Sequence, residues 1–176
     1  MKRNILAAVF AAIFIAGCGT AGDGADKKTV SKSSGVAKEN VCTLLTTAEV
    51  SKLVGEPVHE GEMDTKHIYP TTSVCTWTSV SHDMPLLTLT YYLNTSSHDL
   101  NYYAPPSSSV EKLTIPKYES IAVLTSRHTL LEVIVRSGSN AILLMAPYLE
   151  SKDGSTAWKS EVDLANLAAQ RASRTK

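Results

Sequence analysis

Two short stretches of the sequence repeat the residue types of a hydrolytic triad. Residues 81–83 and residues 97–99 both read Ser-His-Asp. A catalytic triad requires three side chains that converge in space, and three consecutive residues cannot converge in that way. The sequence also contains no Gly-x-Ser-x-Gly nucleophile elbow. We interpret both stretches as polar turns and expect no catalytic residues, with a hydrolase kept as an alternative.

A second candidate for chemistry is the acidic segment of residues 56–67, which carries two histidines. Zinc sites usually draw on closely spaced pairs such as His-x-x-x-His on one helix or strand. His59 and His67 are eight residues apart in a segment with loop character. We therefore predict a solvated face without metal ligands, and we expect no cofactor.

The N-terminal residues have the pattern of an export signal. Lys2 and Arg3 precede an apolar run over residues 5–16, which is too short to span a bilayer comfortably. Ala and Gly then stand directly before Cys18, and this ending resembles the lipobox of bacterial lipoproteins. The resemblance implies that residues 1–17 are removed and that Cys18 becomes a lipidated N-terminus. Gly19 in place of Asp implies the periplasmic side of the outer membrane in a Gram-negative cell, and otherwise the outer face of the cell membrane.

Residues 18–40 follow as the lipidated cysteine and a tether. Small and polar residues dominate this segment, so it cannot bury enough surface to offset its chain entropy, and we predict that it is disordered. Its root-mean-square reach is roughly 25 Å. The whole chain holds 17 basic and 17 acidic residues. This balance provides no strong field for nucleic acid, so we expect membrane association through Cys18 alone.

The other two cysteines, Cys42 and Cys75, predict one structural disulfide. Two cysteines in an exported domain most simply pair, and no Cys-x-x-Cys motif indicates redox chemistry. The closed loop of about 34 residues would stabilise the fold by roughly 3–4 kcal/mol.

The remaining residues, 41–176, predict a single α+β domain. Thr46 and Glu49 have the spacing of a capping box, and Gly55 is placed to end the short helix between them. Alternating polarity predicts a hairpin and a later three-stranded meander, with shorter strand candidates near residues 57–63 and 110–115. Helical spacing of apolar residues predicts a final helix over residues 155–173. We expect an antiparallel sheet of five or six strands with both helices packed on it.

The densest feature of the domain is its tyrosines. Four of the seven lie within residues 91–103, beside prolines, serines and asparagines. Tyrosine and serine on a loop are typical of recognition surfaces, because tyrosine provides contact area at low entropy cost. We predict that Tyr92, Tyr102 and Tyr103 contact a partner. The alternative is structural: Tyr92 covers the sheet while the other two pin the loop.

Several of these features together resemble a diffuse group of small bacterial envelope lipoproteins, catalogued as domains of unknown function and common in actinobacteria. They are the lipobox, the tether, the pattern Cys-x-Leu-Leu-Thr-x-x-Glu-Val-x-x-x-x-Gly from Cys42, and Cys75-Thr76-Trp77. The resemblance implies no catalytic residues. We expect a non-enzymatic, lipid-anchored envelope protein that binds another envelope protein or a cell-wall component, in an inhibitory, immunity or accessory role. A carrier of a small apolar ligand is the other alternative.

Overall fold

The computed structural model describes residues 40–66 and 70–174. The predicted signal peptide, Cys18 and nearly all of the tether lie outside the described residues, as does His67. The described part contains seven strands and two α-helices: α1 Thr47–Val54, β1 Glu62–Met63, β2 Thr72–Thr78, β3 Pro85–Tyr92, β4 Ser109–Lys112, β5 Ser120–Leu124, β6 Leu130–Ser137, β7 Asn140–Met145 and α2 Thr156–Ala172.

The strands form one antiparallel sheet in the order β1-β2-β3-β7-β6-β5-β4. The predicted hairpin is β2–β3, and the predicted meander is β5–β6–β7. An antiparallel sheet with two helices agrees with the α+β prediction, but the expected count of five or six strands is wrong. The strands at the two edges, β1 with two residues and β4 with four, raise the count to seven. Such short, mostly exposed strands leave little alternation in a sequence.

Helix α1 begins and ends as its capping residues predict. The Thr46 hydroxyl accepts a hydrogen bond from the Glu49 backbone N–H at 3.2 Å, and the Glu49 carboxylate accepts one from the Thr46 backbone N–H at 2.8 Å. Gly55 ends the helix with a φ of 80°, a left-handed conformation that suits glycine. Arg171 of α2 donates two hydrogen bonds to the Glu49 carboxylate and thereby lowers its pKa to about 2. The cap therefore also joins the two helices.

The disulfide between Cys42 and Cys75 is present, with an S–S distance of 2.02 Å. It joins the 3-10 helix Val41–Leu44 to the middle of β2. Gly61 lies directly against this bond, because a Cβ at that position would stand 2.6 Å from the Cys75 sulfur and 2.7 Å from the Trp77 ring. Glycine is therefore required there for close packing rather than for a left-handed backbone.

The main core lies between helix α2 and the face of the sheet on which this helix packs; we name it the first face. Helix α2 packs on β6 and β7, and Ser155 caps its N-terminus by accepting from the Trp158 backbone N–H at 3.1 Å. Apolar residues of the predicted helical stripe are buried here, among them Trp158, Leu164, Ala165 and Ala169. Across the described ranges, no helix has the length and apolar character needed to cross a membrane.

The second face of the sheet is also covered, which the sequence did not predict. Residues 94–108, here named the crossing segment, run from the end of β3 to β4 at the far edge and include the 3-10 helices Thr95–Ser97 and Leu100–Tyr103. Leu100 of this segment is fully buried. It forms a second, smaller core with residues of β5, β6 and β7: Ile121, Val123, Ile134, Ala141 and Leu143.

One acidic side chain of α2 lies inside the main core. Glu161 is fully buried. Its Oε2 accepts a hydrogen bond from the Ser151 hydroxyl at 2.8 Å, and the Ala146 backbone N–H also bonds the carboxyl. Its Oε1 has no hydrogen-bond partner among the described residues. Burial raises the pKa of Glu161 to about 8, which the two hydrogen bonds only partly oppose.

We predict that this carboxyl makes the fold less stable as the pH rises. Between the usual pKa of 4.5 and the folded pKa of about 8, the folded state binds more protons than the unfolded state, so the free energy of unfolding falls with rising pH. The loss is roughly 4 kcal/mol over this interval. Urea unfolding at pH 5.5 and pH 8.5 should show it, and Glu161→Gln should reduce it strongly.

Glu150→Gln is the matched control, because Glu150 is exposed. This variant should keep the pH dependence of the native chain. A Glu161→Gln variant that follows the native pH profile would contradict the prediction.

Candidate functional site

The crossing segment is fixed to the sheet by one arginine of β6. Arg136 donates from Nη1 to the Thr95 carbonyl at 3.0 Å and from Nη2 to the His98 carbonyl at 2.7 Å. Its Nε donates to the Glu119 carboxylate at 2.7 Å. A planar guanidinium can satisfy three acceptors in fixed directions at once. Residues 95–98 are thus held by Arg136 together with the Thr95 backbone N–H, which donates to the Ser139 carbonyl at 2.7 Å.

Four aromatic rings lie next to one another on this segment and on the adjoining strand. Tyr103 packs on Tyr92 of β3 with ring centroids 4.7 Å apart. Tyr102 stands edge-on to Tyr103 at 5.3 Å. Tyr102 also stacks face to face on His98, at a centroid distance of 4.4 Å and an interplanar angle of 14°. We name His98, Tyr102 and Tyr103 the aromatic ridge.

The three predicted partner-binding tyrosines differ in exposure. Tyr92 and Tyr103 are half-buried and pack against the second core. Burial is the main cause that raises the pKa of both phenols above the ordinary value. Tyr102 is 69% exposed and is the outermost ring. The structure thus brings the three residues together, with the first two as support and Tyr102 as the accessible side chain.

His98 also belongs to this site, although it was not among the predicted partner-binding residues. It lies in the second Ser-His-Asp stretch, where its ring is stacked on Tyr102. One carboxylate oxygen of Asp99 is engaged in a local hydrogen bond, because Oδ1 accepts from the Asn101 backbone N–H at 2.8 Å. His98 and Asp99 both have an extended backbone before the 3-10 helix Leu100–Tyr103, so no helical spacing in the sequence indicates this contact.

The first Ser-His-Asp stretch lies in the turn between β2 and β3. Its Asp83 approaches the ring of His59, with Nε2 and Oδ1 4.0 Å apart, and both side chains are largely exposed. Among the described residues, no histidine ring hydrogen-bonds to a serine or cysteine, and no three potential ligands of a metal ion converge. The second stretch lies between two 3-10 helices, with Ser97 at the end of Thr95–Ser97 and Asp99 directly before Leu100–Tyr103.

Other clefts on the described surface have mixed linings. An open cleft of about 620 Å³ is lined by Arg127, Tyr148 and Lys152 together with Glu150. A shallower groove of about 420 Å³ runs beside β1 under Glu60, Glu62 and Lys66. Both combine opposite charges on exposed side chains. Neither presents a set of groups held in place as the aromatic ridge is held by Arg136.

A buried carboxylate lies on the same sheet face as the ridge. Glu132 of β6 is 8% exposed, and its Oε2 has no hydrogen-bond partner among the described residues. Burial raises the pKa of Glu132, and its charge adds to the raised pKa of Tyr92. This oxygen is closed to solvent, so Glu132 lies beneath the accessible surface of the ridge and is not part of it.

Comparison of the chain with protein-family models, curated proteins and solved structures finds no match. The resemblance to small envelope lipoproteins therefore stays a prediction that depends on the motifs described above.

We predict that Arg136→Lys loosens the crossing segment while the sheet stays folded. Lysine keeps the charge but cannot bond two carbonyls and a carboxylate in one plane. Hydrogen exchange should accelerate at least tenfold at the amides of His98, Tyr102 and Ala104, which are bonded within the segment.

Arg127→Lys, in the exposed turn between β5 and β6, is the control and should leave these amides unchanged. Equal protection in the Arg136→Lys variant and the native chain would show that the second core and the hydrogen bonds from Thr95 to Ser139 hold the segment without Arg136.

Proposed function

We propose that this protein is a lipid-anchored, non-enzymatic recognition domain of the bacterial envelope. Its aromatic ridge would contact another envelope protein or a cell-wall component. The observation that carries the proposal is Tyr102, a large aromatic ring that is 69% exposed and stacks on His98 at a centroid distance of 4.4 Å. A rigid exposed aromatic group binds at low entropy cost, because little freedom is lost on contact.

The arrangement of the polar groups supports binding over catalysis. The hydroxyls, carboxylates and imidazoles near the ridge serve capping, stacking or the fixing of the segment, as Asp99, His98 and Glu119 do. A hydrolase would require a nucleophile and a base within hydrogen-bond distance.

The packing of the core also favours surface recognition over transport of an apolar ligand. A carrier needs an apolar cavity of several hundred Å³. The space between the sheet and the helices is occupied by large buried side chains, among them Trp77, Tyr91 and Trp158. The apolar groove between α1 and α2 is open to solvent and measures about 270 Å³.

The anchor is tested at Cys18. We predict that the native chain fractionates with membranes and that its N-terminal peptide carries a diacylglyceryl mass, whereas Cys18→Ser appears in the soluble or unprocessed fraction without that mass. Two or more acyl chains hold a protein stably, since each buried methylene contributes about 0.8 kcal/mol. Cys42→Ser, which removes the disulfide but leaves Cys18 in place, is the control, and it should retain the lipid. An unmodified Cys18 in the mature native chain would contradict the anchor.

The recognition surface is tested at Tyr102. We predict that the full chain, purified in detergent and immobilised, retains a specific component of the solubilised envelope, and that Tyr102→Ala weakens this retention at least tenfold. Tyr148→Ala is the matched control, because Tyr148 is 63% exposed and lies after β7, away from the ridge. Equal losses in both variants, or a loss in neither, would exclude the ridge as the recognition surface.

A further inference from the structure

We propose that the aromatic ridge binds the ring face of an uncharged carbohydrate. This inference specifies the ligand class of the proposed recognition function and rests on it. It follows from three properties of the ridge: its size, its charge and the polar groups beside it.

Tyr102 is the one large hydrophobic side chain of the ridge that is exposed, and it lies beside the exposed ring of His98. Large hydrophobic side chains that are exposed in the described part of the chain are Val80, Met84, Tyr102 and Tyr148. The other three lie in the turn before β3 or directly after β7, at the opposite end of β3 from the start of the crossing segment. A stable protein interface buries about 800 Å² on each partner around an apolar centre, whereas one aromatic side chain buries about 150–250 Å². The ridge therefore suits a small flat ligand.

A sugar ring is such a ligand. One face of a pyranose presents C–H groups, and the face of an aromatic ring carries the negative part of its quadrupole. The stacked pair Tyr102 and His98 holds two rings nearly parallel, at 14°, so that both are oriented before a ligand arrives. Such preorganisation reduces the ordering cost that normally weakens binding to an exposed side chain.

The charges around the ridge exclude a polyanion. Asp99 and Glu119 place carboxylates beside it, and the Glu119 side chain is 51% exposed. Arg136, which bonds the ridge at the His98 carbonyl, is only 17% exposed, and its guanidinium also bonds Glu119 and the carbonyl of Thr95. Phosphate or sulfate groups would meet carboxylates here rather than a free cation.

The same turn supplies groups that bond hydroxyls. Asp99 caps the 3-10 helix that carries Tyr102 through its Oδ1, which leaves Oδ2 as an acceptor, and Asn101 is the second residue of that helix; both residues are exposed. A carboxylate accepts hydrogen bonds, and an amide both donates and accepts them, which together match the hydroxyls at the edge of a sugar ring. An apolar face with such polar groups at its edge is the arrangement that fixes a ligand in one orientation.

The test uses the full chain in detergent micelles. Soluble oligomers of four to six glucose, mannose or N-acetylglucosamine units are titrated by calorimetry, and the ring resonances of His98 and Tyr102 are followed by NMR. We expect at least one oligomer to bind and to shift both sets of resonances. Tyr102→Ala should weaken this binding about tenfold. Tyr102→Phe should stay within about twofold of the native chain, because it keeps the stacking face.

The controls separate this proposal from the recognition function itself. Tyr148→Ala should bind as the native chain does, and heparin, a polyanion, should not bind. Binding of heparin alone, or equal oligomer binding by Tyr102→Ala and the native chain, would overturn the carbohydrate assignment. If no oligomer binds while an envelope protein is still retained in a Tyr102-dependent way, the ligand class is wrong and the recognition function stands. If Tyr102 affects neither experiment, both proposals fail.

Discussion

The pairing of β3 with β7 determines where the other elements of this domain lie. It joins the hairpin side of the sheet to the meander and makes the last strand of the chain a central one. Because β2 and β7 occupy the two sides of β3, the chain does not continue from β3 into a strand beside it and instead runs to the far edge of the sheet, where it forms β4. That route crosses the second face of the sheet. The covering of this face, the second core and the aromatic ridge are therefore consequences of one long-range strand pairing.

Local features of the fold were predictable because their determinants are close together in the sequence. The capping box of Thr46 and Glu49, the left-handed Gly55 and the alternation along β2 each depend on residues within one element. The disulfide followed from the cysteine count and the expected export of the chain. The pairing of β3 with β7 joins residues about 50 positions apart, and no local pattern specifies it. The close approach of Gly61 to the disulfide depends on the same kind of distant contact.

The site was predictable in part. The density of tyrosines indicated the correct segment, but their separation into supporting rings and one exposed ring depends on how that segment crosses the sheet. One further sequence signal indicates that the second face is covered. Residues 121–124 and 133–135 are continuous apolar runs rather than alternating ones, which is typical of strands that are buried on both faces. Arg136 directly after such a run indicates a largely buried cation that requires acceptors, although its partners near residues 95–98 could not be identified from the sequence.

The position of the disulfide has a mechanical consequence. Asn40, the first described residue, lies two positions before Cys42, and Cys42 is bonded to Cys75 in the middle of β2. A pulling force on the chain before residue 40 would therefore pass through a covalent bond into the sheet and would bypass α1. A helix of eight residues placed in line with such a force would unravel easily, since a short helix is marginally stable without its tertiary contacts. Because the disulfide is at Cys42, the force reaches β2 directly, and β2 hydrogen-bonds to a strand on each side.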